Sequence, residues 1–423
     1  MHSNRDGGLF SAISIGIAAS FLLCGYEFIR STANTVFKNA YGKEGLPYIM
    51  AIMPLGVLAM LYGYGWLLSR LGPRKTLLAT SLLSSAAIGT CYVFIRYRPV
   101  CAALYIVREA YVVLLIEQYW SFLNSRLGTA AAKKLNGPVC GVASIGAAFG
   151  AEMVSRFSVE LGPAPMLVFG ALAILPAALC SDLAYAHSAS RTILGSSARR
   201  EDNNADGEVV QRKAGFIGNL GLQLFKTHRI LILLLGVVLC TQILSTMLEL
   251  TFQGKLQDAI PDPSSQNAWS GHFFSTLNLA AALSQFIATP LLLRFVSFRI
   301  VHIAMPLCNI AACAYLASRP SLQSAAAAYM CFKLLDYSLF RASKEILYIP
   351  LPYDARYRAK EVIDVWGYRF GKGASSSIIS FLKAGGAVLT ELSYSVAGIG
   401  AALVWLLLIV PISRHYKRNE SET

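Results

Sequence analysis

Runs of apolar residues close to 20 long recur throughout this sequence, and no other feature constrains its fold as much. An α-helix of about 20 residues crosses the roughly 30 Å hydrocarbon core of a bilayer. The runs are continuous rather than alternating, which points to helices and away from the shorter strands of a membrane barrel. They predict spans near 10–31, 47–69, 76–95, 100–123, 138–158, 165–187, 229–252, 269–293, 299–318, 321–350, 362–384 and 390–413. Composition agrees: 55% of the 423 residues are hydrophobic and only 14% charged, where soluble chains carry about 25%. The expected class is an all-α membrane protein of twelve spans.

The net charge of +14 does not read as nucleic-acid binding. Its basic residues gather in alternate loops: Arg70, Arg74 and Lys75; Arg126, Lys133 and Lys134; Arg356, Arg358 and Lys360; Arg414, Lys417 and Arg418. That is the positive-inside pattern, and it places both termini in the cytoplasm. The first run, from Leu9, has no small-residue cleavage site and reads as a retained helix. The nine cysteines lie mostly within apolar runs without metal-type spacing, and read as reduced packing residues. No cofactor or metal is implied.

The longest polar stretch, His187 to Gly215, divides six spans from six. It predicts an N-terminal half over 1–190, a cytoplasmic linker over 191–228 and a C-terminal half over 229–423. An internal repeat supports this division. "GWLLSRLGPRK" from Gly65 and "TPLLLRFVSFR" from Thr289 occupy matching loops. A single offset carries Glu109 onto Asp336, Glu117 onto Lys344, Gln118 onto Glu345 and Ala132 onto Ala359. The Gly65 stretch also resembles the loop signature of the major facilitator superfamily, with Ser69 where that pattern usually has an acid.

"GYRFGKG" (Gly367 to Gly373) is not a phosphate loop: its spacing is one residue short, and no Ser or Thr follows Lys372. No catalytic motif appears elsewhere, so a non-enzyme is expected. In the fifth span, Gly137, Gly141, Gly146 and Gly150 read as small faces for close helix packing. Glu152 and Arg156, four apart, read as an ion pair. For Lys38 and Lys383, snorkelling to an interface is the alternative to a place on the translocation path.

Charge inside the spans carries the functional information, because ionisable groups in a bilayer face protein or water. At about 100° per residue, Lys333, Tyr337, Arg341, Lys344 and Tyr348 share one arc of the tenth span. Arg369, Lys372, Ser376 and Lys383 form a stripe in the eleventh. Glu27, Arg30, Asn34 and Lys38 do so in the first; Glu109, Glu117, Trp120 and Asn124 in the fourth; Gln242, Thr246, Glu249 and Gln253 in the seventh. These stripes fit a translocation path. The cation-rich tenth and eleventh spans suit an anionic cargo, and Glu109 or Glu117 suits a coupled proton.

"YSLFRASKEILYIPL" (Tyr337 to Leu351), followed by "AKEVIDVWGYRFGKGAS" (Ala359 to Ser375), resembles the nucleotide transporter (ATP/ADP translocase) family of plastids and intracellular bacteria. The pattern there is YSLF-x3-KE-x2-YIPL, then K-x2-IDV and R-x-GK. Weaker similarity covers "REAYVVLLIEQYWSFLNS", "AKKLNGPVCGVASIGAAFG" and "FIRSTANTVF". The resemblance implies a facilitator-like fold and nucleotide movement by exchange or proton coupling. It puts the family's fourth-span acid on Glu109 and its late lysine on Lys372. The chain departs from the pattern at Ala33 and Asn34, where Lys and Asp are usual, at Arg341, usually acidic, and at Asp336, usually basic.

The expected substrate-binding residues are therefore Arg30, Glu109, Lys333, Tyr337, Arg341, Lys344, Arg369 and Lys372. Expected coupling or gating residues are Glu27, Glu117, Glu249, Asp336, Glu345 and Asp364. The expected partners are an anionic small molecule and the lipid bilayer, with the chain a monomer in a bacterial inner membrane. Two alternatives stand beside nucleotide transport: a proton-coupled carrier of another anionic or zwitterionic metabolite, and a non-transporting membrane sensor or scaffold.

Overall fold

The computed structural model describes residues 3–126, 129–195, 225, 229–348 and 362–422. Among them the secondary structure is helical throughout, without strands. Eight of the described segments are long and apolar enough to cross a membrane. The helices are α1 (Ser3–Tyr41), α2 (Leu46–Val93), α3 (Arg98–Arg126), α4 (Thr129–Leu161) and α5 (Met166–Gly195), then α6 (Arg229–Ala259) and α7 (Pro263–Leu283). There follow α8 (Thr289–Phe295), α9 (Phe298–Ser318), α10 (Leu322–Leu335), α11 (Arg341–Tyr348), α12 (Tyr368–Ala384) and α13 (Glu391–Glu422). Most of the predicted 191–228 linker, and the basic segment 349–361, lie outside the described residues.

Two predicted spans merge in α2. They are separated only by Gly72, whose φ of 71° and ψ of 170° suit glycine alone and turn the chain without ending the helical ladder. Just beyond that turn, Arg74 grips Asp182 of α5 through two parallel hydrogen bonds of 2.6 and 2.8 Å. The facilitator-type loop is therefore anchored by a planar guanidinium–carboxylate fork. Asp262 caps the start of α7 by accepting from the Ser265 backbone N–H at 2.8 Å. That bond and the Ser265 hydroxyl hold its carboxyl below the usual range.

The chain forms two compact units, each completed by a segment from the other part of the sequence. Unit 1 comprises Met1–Ala40, Leu55–Arg212 and Asp262–Leu279; unit 2 comprises Tyr41–Pro54, Lys213–Pro261 and Ala280–Thr423.

In unit 1 the core runs along α1, where Ile15, Leu22, Ile29 and Val36 recur at steps of seven. These pack with Leu104, Tyr111 and Leu115 of α3 and with Leu167 and Ile174 of α5. A Cβ on Gly150 of α4 would overlap the Cys24 carbonyl of α1, so glycine is what lets these helices meet. Gly271 of α7 makes a second such approach, its would-be Cβ lying 2.5 Å from the Ser155 backbone nitrogen. Alongside it, Asn267 donates to Ser158 Oγ at 2.9 Å and accepts from Thr35 Oγ1 at 3.3 Å. A polar knot thus secures the borrowed piece of α7.

In unit 2, α6 packs against α10, α12 and α13, and α9 packs against α10 and α13. Phe340 meets the buried Trp405 edge-on at 5.4 Å, and Phe252 stacks on Tyr329 at 5.3 Å. Ion pairs tie its helix ends: Lys43–Asp258 at 2.5 Å, Lys255–Glu391 at 2.6 Å, and Lys383–Glu44.

Among the described residues of unit 2, three π-helical turns occur, at Ser284–Ala288, Asp336–Phe340 and Val362–Gly367. The first two are joined by a 3.1 Å hydrogen bond from Ser284 to Ser338. Large apolar side chains such as Leu55, Trp66, Leu283, Phe381 and Leu407 face outward, as lipid solvation allows.

Candidate functional site

Of the polar groups predicted for the first and fourth spans, Glu27, Arg30, Asn34 and Glu109 converge in unit 1. On α1, Arg30 donates to Glu27 Oε1 at 3.0 Å, a reach that the i, i+3 spacing supplies. Asn278 of α7 donates to the same oxygen at 2.9 Å. Glu27 is only 2% exposed, and its second oxygen, Oε2, accepts no hydrogen bond from any described residue. The Arg30 guanidinium lies 3.4 Å from the Phe274 ring centroid and 5.8 Å from that of Tyr26.

From α3, Arg108 reaches across to α1. It donates to the Arg30 carbonyl at 3.3 Å and to the Asn34 side-chain oxygen, pairs with Glu109 at 3.3 Å, and stacks on Tyr105 at 3.8 Å. Two acids and two arginines thereby balance in one cluster. Removing buried charges from water costs several kcal/mol per ion, roughly, so partners are obligatory.

Neither Arg108 nor Asn278 was among the site residues expected from the sequence. The available signal for Arg108 was that an arginine in mid-span must be paired. For Asn278 there was none, because its contact joins residues 251 positions apart.

Lys38 corrects an expectation. It does not snorkel: it is 1% exposed, because α1 continues to Tyr41 and packs there, with Phe37 against Tyr105 at 5.2 Å. Glu117 lies exposed, away from this cluster's buried interior. The Glu152–Arg156 pair forms as expected, at 2.9 Å.

Unit 2 holds the cations of the tenth and eleventh spans. Lys372 of α12 donates to Glu249 of α6 at 2.8 Å. Lys333 donates to Ser245 of α6 at 3.3 Å and lies 5.4–5.6 Å from the rings of Tyr329, Phe332 and Tyr337. Arg341 approaches the Tyr337 ring at 5.1 Å, so Lys333 and Arg341 both sit near one tyrosine. Lys344 is buried and faces the Tyr368 ring at 4.9 Å. Arg369 is half-buried beside Tyr368 on α12.

The single arc computed for a straight tenth span is altered here. The π turn at Asp336–Phe340 winds more residues per turn, so Arg341 and Glu345 are exposed while Lys344 and Tyr348 are buried. Asp336, in that turn, is buried, and its Oδ1 accepts from no described residue. The side chain of Asp364 lies outside those described.

The two clusters differ in chemistry. The one in unit 1 is charge-balanced. The one in unit 2 carries excess positive charge in forms that suit phosphate or carboxylate, a planar guanidinium and point-charge ammoniums.

Comparison with known proteins bears on both fold and family. Residues 321–416 match the family model of the TLC ATP/ADP transporter. The chain is 28% identical to ADP,ATP carrier protein 1 of Chlamydia trachomatis serovar D, in an alignment covering 35% of this chain. That match spans about a third (32%) of the relative's length. The resemblance read from the sequence is thus borne out.

Among solved structures, the nucleoside transporter NupG superposes with a TM-score of 0.66 at 12% identity, covering 96% of this chain and 99% of that one. The inward-open xylose transporter XylE from E. coli gives 0.61 at 13% identity, covering 94% and 95%. The fold is that of the major facilitator-like transporters, and the chain is a multi-pass integral membrane protein.

Proposed function

We propose that this protein carries nucleotides of the ATP/ADP type across a membrane by alternating access, as exchange or coupled to protons. The observation that carries the reading is the cation set on α10–α12 within the matched segment 321–416. The cargo-binding residues in this reading are Lys333, Tyr337, Arg341, Lys344, Arg369 and Lys372 of unit 2, and Arg30 and Glu109 of unit 1. Glu27, Glu117, Glu249, Asp336, Glu345 and Asp364 serve coupling or gating. The Lys372–Glu249 pair gives a switching logic: a phosphate displaces the carboxylate from the ammonium, since both compete for one point charge.

The moving parts in this reading are residues 1–190 and 229–423, joined by a cytoplasmic linker over 191–228. The chain works as a monomer in a bacterial inner membrane with both termini in the cytoplasm, as its basic loops suggest.

The test is uptake of labelled ATP and ADP by cells or proteoliposomes containing the full chain, with other metabolites as competitors. Lys372→Ala abolishes uptake while membrane insertion stays intact. Absence of nucleotide uptake by the unaltered protein sinks the reading. A second reading, carriage of another anionic or zwitterionic metabolite, draws on Ala33 and Asn34. Asn34 gives its side-chain oxygen to Arg108, so this corner lacks the cation and the acid usual there. Competition that succeeds with a non-nucleotide acid favours it.

A further inference from the structure

The likeness between the Gly65 and Thr289 loops has a structural counterpart in their cations. In unit 1, α2 turns at Gly72, with Arg70 two residues before the turn and Lys75 three residues after it. In unit 2, the chain leaves α8 through Val296 and Ser297, both extended. Arg294 stands two residues before Val296 and Arg299 three residues after it. All four basic side chains are exposed. Among the described residues none of the four pairs with a carboxylate, whereas Arg74, between the first two, is held by Asp182.

In each unit the first cation lies on an aromatic ring that itself faces outward. The Arg70 guanidinium is 4.3 Å from the Trp66 ring centroid, and that of Arg294 is 5.4 Å from the Phe295 centroid. A guanidinium held against a ring keeps its N–H donors for a second partner, and its planar fork suits phosphate. Away from the turn, each helix continues as an apolar wall. Tyr62, 82% exposed, and Trp66 lead at steps of four to Arg70; Leu291 leads likewise to Phe295, 73% exposed, beside Arg294. Such a surface fits a molecule that is anionic at one end and apolar along the rest. A soluble anion would use the cations and leave the wall idle.

We propose that each loop binds an anionic phospholipid of the surrounding bilayer. Its phosphodiester lies between Arg70 and Lys75 in unit 1, and between Arg294 and Arg299 in unit 2. Its acyl chains run along Tyr62 and Trp66, or along Leu291 and Phe295. These sites go beyond the transport reading and do not depend on what the cargo is. Each basic residue near a bilayer surface favours an anionic over a neutral lipid by about fivefold. Two cations per site therefore give a preference of about thirtyfold.

The experiment uses the full-length protein in phosphatidylcholine bilayers containing a small fraction of brominated lipid, either phosphatidylglycerol or phosphatidylcholine. Bromine on an acyl chain quenches the fluorescence of an indole it touches. The Trp66 signal is the part lost in Trp66→Phe, and Phe295→Trp in that background supplies the reporter for unit 2. Both substitutions keep a ring for the neighbouring guanidinium. Brominated phosphatidylglycerol is expected to quench each reporter at a fraction about thirtyfold lower than brominated phosphatidylcholine. Arg70→Gln with Lys75→Gln brings the two lipids level at Trp66, and Arg294→Gln with Arg299→Gln does so at the second reporter. If a double variant fails to enter the membrane, Lys75→Gln or Arg299→Gln alone is read instead, with a fall of about fivefold.

Equal quenching by the two lipids in the unaltered chain overturns the proposal. So does a preference that survives the double substitution. A preference at one reporter alone overturns the site in the other unit. Inorganic phosphate tests for a soluble ligand. If it abolishes the preference where sodium chloride of equal ionic strength does not, the cations serve a free phosphate and the lipid assignment falls.

Discussion

Arg108 shows how a single buried charge can hold several others in place. Its guanidinium serves Asn34, the Arg30 carbonyl and Glu109 together, and lies on Tyr105. Deleting one partner of a buried pair strands the other, at about 3–5 kcal/mol. Arg108→Leu is therefore expected to lower thermal stability by an amount of that order, followed by tryptophan fluorescence of the detergent-solubilised protein. Arg108→Lys recovers only part, because an ammonium lacks the planar fork. How much of this was legible in the sequence varied with distance along the chain. The Glu27–Arg30 pair follows from i, i+3 spacing, and the sequence already marked both residues. Asn278 could not be found, because only the packed unit brings α7 to α1. Of the two readings of Lys38, polar stripe or snorkel, the second fails because a lysine near a helix end snorkels only when that end meets solvent, and here the neighbouring Phe37 packs on Tyr105 of α3.

Helices read well from apolar run length, and their internal irregularities did not. The twelve-span reading located each described helix, but nothing in "DYSLF" announces a π turn: none of its residues is a helix breaker, and the wide turn is selected by packing. Its effect is large, since it resets which of Arg341, Lys344 and Glu345 are buried. Deleting Leu339 is expected to collapse the turn to an ordinary α register while leaving α11 on nearly the same face, because the wider turn holds about one residue more than the α winding that replaces it. Uptake of labelled nucleotide should be lost, while surface abundance in the membrane stays near normal. Retained uptake would detach the π turn from function. Gly146 and Gly150 of α4, four apart, were legible as a packing face, and they meet α1 at Ser20 and Cys24.

Each compact unit is finished by a segment drawn from the other part of the sequence: 262–279 enters unit 1 and 41–54 enters unit 2. A chain cut within 196–224 should therefore give two fragments that fail alone and succeed together. The N-terminal fragment by itself lacks Asn278 for Glu27 and Asn267 for Thr35 and Ser158. The C-terminal fragment lacks Lys43 for Asp258 and Glu44 for Lys383. Co-expression should restore the abundance of both in the membrane, measured by immunoblot. Equal abundance of each fragment alone would contradict the arrangement. This interleaving was not legible in the halves implied by the polar stretch, which divides the sequence and says nothing of how its ends pack.

The bonded pair of π turns at Ser284 and Ser338 has a consequence for isotope exchange. In hydrocarbon an α-helix keeps its amide protons because every backbone group is satisfied within the helix. A π turn widens that ladder and strains its closure. Deuterium offered to the protein in lipid discs should then enter the membrane-embedded backbone of unit 2 first at 284–288, 336–340 and 362–367. The flanking turns of α7, α10 and α12 should lag behind. The first two segments should also gain label together, since the serine bond that joins them opens for both at once.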